Sequence, residues 1–313
     1  MLYGKYRFSC MFEDEGVLPY YKGSTFRGVF GKALKKVVCA LRRQECSECL
    51  LKRKCIYSQV FETPSSDEDS KDSRIASPPH PFVIEPPLTT ETHFQKRDSF
   101  DFQLILFGQT NDYLPYFIYA FEQIGNIGIG KRINGKRAHF ILKDIKASGK
   151  KIYSHEDQIL RKGGFYQNLS LNDTGRATEG AFRLRFTTET PLRLKFENRL
   201  SADLPFHVLV RAMLRRISSL FNYYGDGEPE LDYKGVVRRA KEIQVVNNDL
   251  NWFDWRRYSI RQDQAMLMGG MVGSVTYEGK IGEYLPLIDF CSEVHLGKQT
   301  SFGLGKITAE IIE

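Results

Sequence analysis

Apolar positions along this chain recur with two periods, and the segments that carry them follow one order twice. Tyr6, Phe8, Cys10 and Phe12 fall on one side of an alternating stretch and predict a strand. Phe26, Phe30, Ala33, Leu34, Val37 and Val38 then recur at helical spacing, which predicts a helix over 23–38 with Ser24 or Thr25 as its cap. Strands are predicted over 81–85 and 100–107, a helix over 113–124 and a closing strand over 138–145. The second half repeats this: a strand over 182–188, a helix over 206–221, a strand within 243–260, another over 270–277, a helix over 284–294 and a last strand over 306–312.

The repetition also shows in the residues. Tyr113-Leu114-Pro115 matches Tyr284-Leu285-Pro286, and Glu122 matches Glu293, at a common offset of 171 residues. Shifted by four residues, Gly130-Lys131 falls on Gly297-Lys298. Strand, helix, strand, strand, helix, strand occurring twice reads as an α+β protein, a tandem of two ferredoxin-like (RRM-like) βαββαβ domains. The boundaries expected are 1–150, with a cysteine-rich insertion at 39–55 and a polar loop at 62–80, and 180–313, joined by a Gly/Ser/Asn-rich linker. The length of 313 residues agrees with two domains.

Composition narrows the class. With 42% hydrophobic and 27% charged residues, the chain is not disordered, collagen-like or coiled-coil. No apolar run approaches the roughly 18 residues of a membrane span, and the start has no uninterrupted apolar core of a signal peptide. A soluble, non-secreted, cytoplasmic protein is expected.

Charge adds a direction. The net charge is 45 − 38 = +7, and the segment 62–74 carries a local −3, so the remainder carries +10. Eight Lys and Arg crowd 131–151 against Asp144 alone, a solvated run or a phosphate-binding edge. Gly125-Asn-Ile-Gly-Ile-Gly-Lys-Arg132 nearly spells a P-loop, but Arg132 stands where Ser or Thr must ligate magnesium. The segment also follows a helix and precedes a strand, the reverse of a P-loop, so nucleotide hydrolysis is excluded as the reading. Glycines instead let backbone N–H groups approach phosphates that Lys131, Arg132, Lys136 and Arg137 neutralise, with Gly130 in the turn. The equivalent loop offers Gly297, Lys298, Gly303, Gly305 and Lys306. Read as a straight strand, 252–261 places Phe253, Trp255, Arg257, Ser259 and Arg261 on one face, a surface suited to stacked bases and phosphates or, as aromatics on strands more often are, to a core.

Cys39, Cys46, Cys49 and Cys55 follow C-x6-C-x2-C-x5-C, four thiols within 17 residues. Without a secretion signal, this spacing fits four thiolates around a structural zinc better than disulfides, an iron–sulfur cluster being the alternative metal centre and reduced thiols the plain one.

Three blocks carry a resemblance: Arg257-Tyr-Ser-Ile-Arg-Gln262, Met268-Gly-Gly-Met-Val-Gly-Ser-Val-Thr-Tyr277 and Val294-His-Leu-Gly-Lys-Gln-Thr-Ser-Phe-Gly-Leu-Gly-Lys306. In order and spacing they resemble the carboxy-terminal domain of CRISPR-associated endoribonucleases that process pre-crRNA, within the RAMP superfamily. Gly23-Ser-Thr-Phe-Arg-Gly-Val-Phe-Gly31 is similar to the first helix of such proteins. The resemblance implies two ferredoxin-like domains and binding and cleavage of a CRISPR repeat RNA, with effector-complex subunits as further partners. Cleavage without a catalytic metal uses the 2′-hydroxyl as nucleophile and leaves 2′,3′-cyclic phosphate and 5′-hydroxyl ends, which requires a base, an acid and cations on the phosphate.

Members of the family commonly draw a histidine from the early helical region of the first domain, whereas the first histidine here is His80. His139 and His207 lie in apolar periodic stretches and read as structural. His295, beside the Gly297-Lys298 loop and inside the matching block, is the catalytic candidate, with Lys298, Arg257 and Arg261 holding the phosphate; its other reading is a histidine bracing the loop. Tyr20, Tyr21, Lys22 and Arg27 form an alternative set. The competing function is a non-catalytic RAMP-type RNA-binding subunit of a CRISPR effector complex.

Overall fold

The computed structural model describes residues 1–42, 44–62, 78–161, 163–171, 180–194, 202–259 and 264–312, with backbone alone for 257–259 and 264–266. Most of the polar loop, part of the linker and Arg261 lie outside the described residues, as does the side chain of Arg257. The chain forms two compact units, Leu2–Asn168 and Leu169–Glu313 with Met1.

The first unit contains β1 (Leu2–Phe12), β2 (Gly16–Val17), α1 (Gly23–Val38), β3 (Phe82–Glu85), β4 (His93–Phe94), β5 (Ser99–Phe107), α2 (Leu114–Ile127), β6 (Ile129–Ile133), β7 (Lys136–Ala138), β8 (Phe140–Ala147), β9 (Lys150–Ser154) and β10 (Gln167–Asn168). Its sheet runs β3-β5-β1-β8-β9, with β10 also on β1. Its first four strands are antiparallel neighbours in the order of a ferredoxin-like fold. The unit extends past the expected residue 150 because β9 and β10 join this sheet; both are short and polar, so alternation gave no signal for them.

Burial follows the predicted periodicity. Tyr6, Phe8, Cys10 and Phe12 of β1 are buried, as are Phe26, Phe30, Ala33 and Leu34 of α1. Phe8 stacks on Phe102 at 4.7 Å between ring centroids, and Phe30 lies parallel to Phe121 at 4.9 Å, so both helices lock onto one aromatic layer of the sheet. Each such phenylalanine contributes about 2–3 kcal/mol by leaving water. The expected cap of α1 is absent: the helix starts at Gly23 behind Lys22, and no side chain bonds its first turn.

The second unit contains β11 (Phe182–Leu192), α3 (Phe206–Tyr224), α4 (Tyr233–Arg239), β12 (Gln244–Asn248), β13 (Asn251–Ser259), β14 (Gln264–Gly279), α5 (Leu285–Val294) and β15 (Ile307–Ile312). Its sheet order β12-β14-β11-β15 is that of the first unit, so the fold is a tandem of ferredoxin-like units. The single strand expected within 243–260 is two, β12 and β13, both paired with the 16-residue β14. No helix among the described residues is long and apolar enough to cross a membrane.

Candidate nucleic-acid interface

The basic stretch of the first unit is a hairpin rather than a loop. Helix α2 continues to Ile127, taking Gly125 with it, and β6 and β7 then pair through a turn at Asn134 and Gly135, with φ of 49° and 83°. Lys131, Arg132 and Lys136 are exposed and Arg137 half-buried. None of the four joins an ion pair among the described residues, so their charge is available to an anion.

Two contacts tie this hairpin to the connection between β1 and α1. Gly130, with φ of 88°, lets the backbone pass so close that an added Cβ would stand 2.4 Å from the Val17 carbonyl oxygen. At the other side, β1 and β8 pair through Phe12 and Phe140, which brings the residues just beyond them together. There the Asp14 carboxylate accepts from His139 Nδ1 at 2.6 Å and from the His139 backbone N–H at 3.2 Å. These bonds hold the Asp14 carboxyl below the usual carboxylate range. His139, read from sequence as an apolar-stretch residue, is 37% exposed at the side chain. Sequence reasoning missed this pair; the register of β1 against β8 is the signal that places residue 14 beside 139.

The alternative set at α1 does not converge. Lys22 is fully buried, donating to the carbonyls of Thr89 at 2.6 Å and Tyr20 at 3.3 Å, and burial lowers its pKa. Burial pushes the Tyr21 phenol well up, whereas Tyr20 is 58% exposed. Arg27 Nη2 lies 2.9 Å from His80 Nε2, whose Nδ1 is 3.2 Å from the Val60 carbonyl oxygen.

In the second unit the glycine loop turns inward and carries His295, expected beside an open phosphate site, into the interior. Its imidazole is 0% exposed, with Nδ1 3.0 Å from the Leu304 carbonyl oxygen. The buried Arg216, its pKa lowered to about 10 by burial, donates to the His295 and Val294 carbonyls at 3.1 and 2.7 Å and closes the end of α5. A ring so enclosed fits the other reading of His295, a histidine bracing the loop.

The loop N–H groups expected to grip phosphate are also engaged. Lys298 N donates to the Arg193 carbonyl at 3.0 Å, Gly303 N to Thr300 at 2.7 Å, Gly305 N to Pro191 at 3.1 Å and Lys306 N to Thr190 Oγ1 at 2.9 Å. Gly303 and Gly305 are buried and Gly297 and Lys306 half-buried; the Lys298 side chain is exposed and in no ion pair among the described residues. On β13, Phe253 and Trp255 stack at 5.7 Å with 27° between rings, Phe253 being 36% exposed. Elsewhere on this sheet, Arg183–Glu278 and Arg185–Glu310 ion pairs cross between strands. The four clustered cysteines are free and half-buried, and no three His, Cys, Asp or Glu side chains among the described residues are gathered as a metal site requires.

Comparison with known proteins agrees with the fold. A family model for the N-terminal domain AF_1859_N matches residues 1–164, just over half of the chain, and one for the CRISPR-associated endoribonuclease Cas6 matches residues 185–307. An uncharacterized protein of Archaeoglobus fulgidus is 28% identical over 293 residues, covering 92% of this chain and 91% of its own. Among solved structures, a Cas6 product complex superposes with a TM-score of 0.55 at 13% identity, over 98% of this chain and 100% of the other. Thermus thermophilus Cas6 gives 0.54 at 12%, over 99% and 98%. A partial Cas6-RT-Cas1–Cas2 complex gives 0.58 at 13%, over 99% of this chain and 46% of the other. With residues 1–164 matched by the first model, the chain belongs to the family of the AF_1859_N domain, and its residues 185–307 are similar to the CRISPR-associated endoribonuclease Cas6.

Proposed function

We propose that the chain is an endoribonuclease that binds CRISPR repeat RNA and cuts pre-crRNA by attack of the 2′-hydroxyl, without a catalytic metal. The observation that carries this reading is the β6–β7 hairpin, where Lys131, Arg132 and Lys136 are exposed and Arg137 half-buried, none of them with an acidic partner among the described residues. Lys298, exposed on the glycine loop, adds a cation in the second unit, and Phe253 with Trp255 offers rings for unpaired bases. The match to the Cas6 model and the likeness to a Cas6 product complex support RNA processing as the role.

The test is cleavage of cognate repeat RNA in EDTA. Cutting is expected to persist, with 2′,3′-cyclic phosphate and 5′-hydroxyl ends, because the substrate supplies the nucleophile. The burial of His295 favours a second reading, a non-cleaving RAMP-type subunit of a CRISPR effector complex. Tight binding of the repeat without cutting would decide for it.

A structural zinc on Cys39, Cys46, Cys49 and Cys55 is part of the proposal, with an iron–sulfur cluster as the other metal centre. The donor chemistry fits, since a short turn returns Cys49 N–H toward the Cys46 carbonyl at 3.5 Å, but a metal must draw the four thiolates together. Elemental analysis of purified protein is expected to give about one zinc per chain, or iron with sulfide and visible absorption. Metal-free protein, with full stability after Cys46→Ser and Cys49→Ser, would establish plain thiols.

A further inference from the structure

We propose that Asp14 and His139 form an acid–base pair acting on the RNA strand held by the β6–β7 hairpin. This rests on the endoribonuclease reading and adds to it the group that moves the proton.

The geometry supplies each requirement. Asp14 Oδ2 accepts from both Nδ1 and the backbone N–H of His139, so the ring is held at two points and its proton resides on Nδ1. In the neutral ring the free lone pair then lies on Nε2, which has no partner among the described residues while the side chain is 37% exposed. His295 and His80 differ: His295 is enclosed, and His80 has Arg27 Nη2 at its Nε2 and the Val60 carbonyl at its Nδ1.

Position is the second argument. His139 immediately follows β7, two residues after Arg137 and three after Lys136, and Lys96 is the other charge acting on Asp14. A phosphodiester drawn to those cations would lie along the segment that carries the open nitrogen. A surface ion pair serving only to join two strand ends would contribute about 0–1 kcal/mol and has no use for an open Nε2.

The step balances without a co-reactant. Nε2 takes the proton of the 2′-hydroxyl as its oxygen bonds to the adjacent phosphorus, and the bond from phosphorus to O5′ breaks. Solvent protonates O5′, and the imidazolium returns its proton to solvent. The Asp14 carboxylate holds the ring and stabilises its charged form.

The experiment is single-turnover cleavage of cognate repeat RNA by the full chain. His139→Ala is expected to slow it about 10²-fold to 10⁴-fold with the Kd for RNA within about twofold of the parent, and Asp14→Asn to slow it at least about tenfold. His139→Asn keeps a donor toward Asp14, so it is expected to melt with the parent and yet cut as slowly as His139→Ala. Added imidazole is expected to restore part of the His139→Ala rate. Parental rates in folded His139→Ala and His139→Asn, with cyclic-phosphate ends still formed, would overturn the pair and leave the endoribonuclease reading intact. A parent that binds the repeat and never cuts it would overturn both.

Discussion

Replacing Lys131, Arg132, Lys136 and Arg137 together by alanine is expected to weaken RNA binding about a hundredfold or more at low salt and to flatten its salt dependence. Each phosphate contact contributes roughly 0.7–0.9 to the slope of log K against log salt through released counterions, so four lost contacts remove about three. The four cations have no acidic partner among the described residues, so the substitutions free no carboxylate and leave the hairpin turn at Asn134 and Gly135 in place. Binding titrations from low to moderate salt, with circular dichroism as the fold control, measure this directly. An unchanged slope in a folded variant would remove the hairpin from the interface.

Gly305→Ala is expected to destabilise the second unit by about 3 kcal/mol or more. The residue has φ of 74°, and its Cβ would stand 1.8 Å from the Leu296 carbonyl oxygen. Neither side can yield cheaply, because Leu296 N donates to the Gly305 carbonyl at 2.8 Å and Gly305 N to that of Pro191 at 3.1 Å. Backbone meets backbone, so no rotamer change relieves the clash. A melting temperature lower by about 6–12 °C is the expected readout for a unit of this size. A melt within about 1 °C of the parent would show that the loop relaxes freely, and the case against its N–H groups as a phosphate grip would fail with it.

The sequence carried the fold further than the site. Alternation of Tyr6, Phe8, Cys10 and Phe12 and the helical spacing of Phe26, Phe30, Ala33 and Leu34 are local signals, and those side chains form the core. The Asp14–His139 pair depends instead on strands far apart in the chain, and apolar neighbours made His139 resemble a core residue. The burial of His295 was hidden for the opposite reason: its neighbours in sequence are Gly297 and Lys298, yet the backbone corner it occupies turns the ring away from solvent. The hairpin was legible as charge but not as shape, since glycines that suggest a phosphate loop also permit a close crossing at Val17. Arg257 and Arg261 are untouched by this comparison, lying beyond the described side chains.

The residue closing α2 is Gly128, with φ of 85° and ψ of 155°, and the residue closing α5 is His295, with φ of 60° and ψ of 152°. One unusual bend thus ends both α2 and α5, each helix opening with Leu-Pro after a tyrosine. Glycine adopts this bend freely, whereas histidine does so at a cost of about 1–3 kcal/mol, offset by the bond from its ring to Leu304. The same corner is thus left without a side chain at the end of one helix and filled by an imidazole at the end of the other.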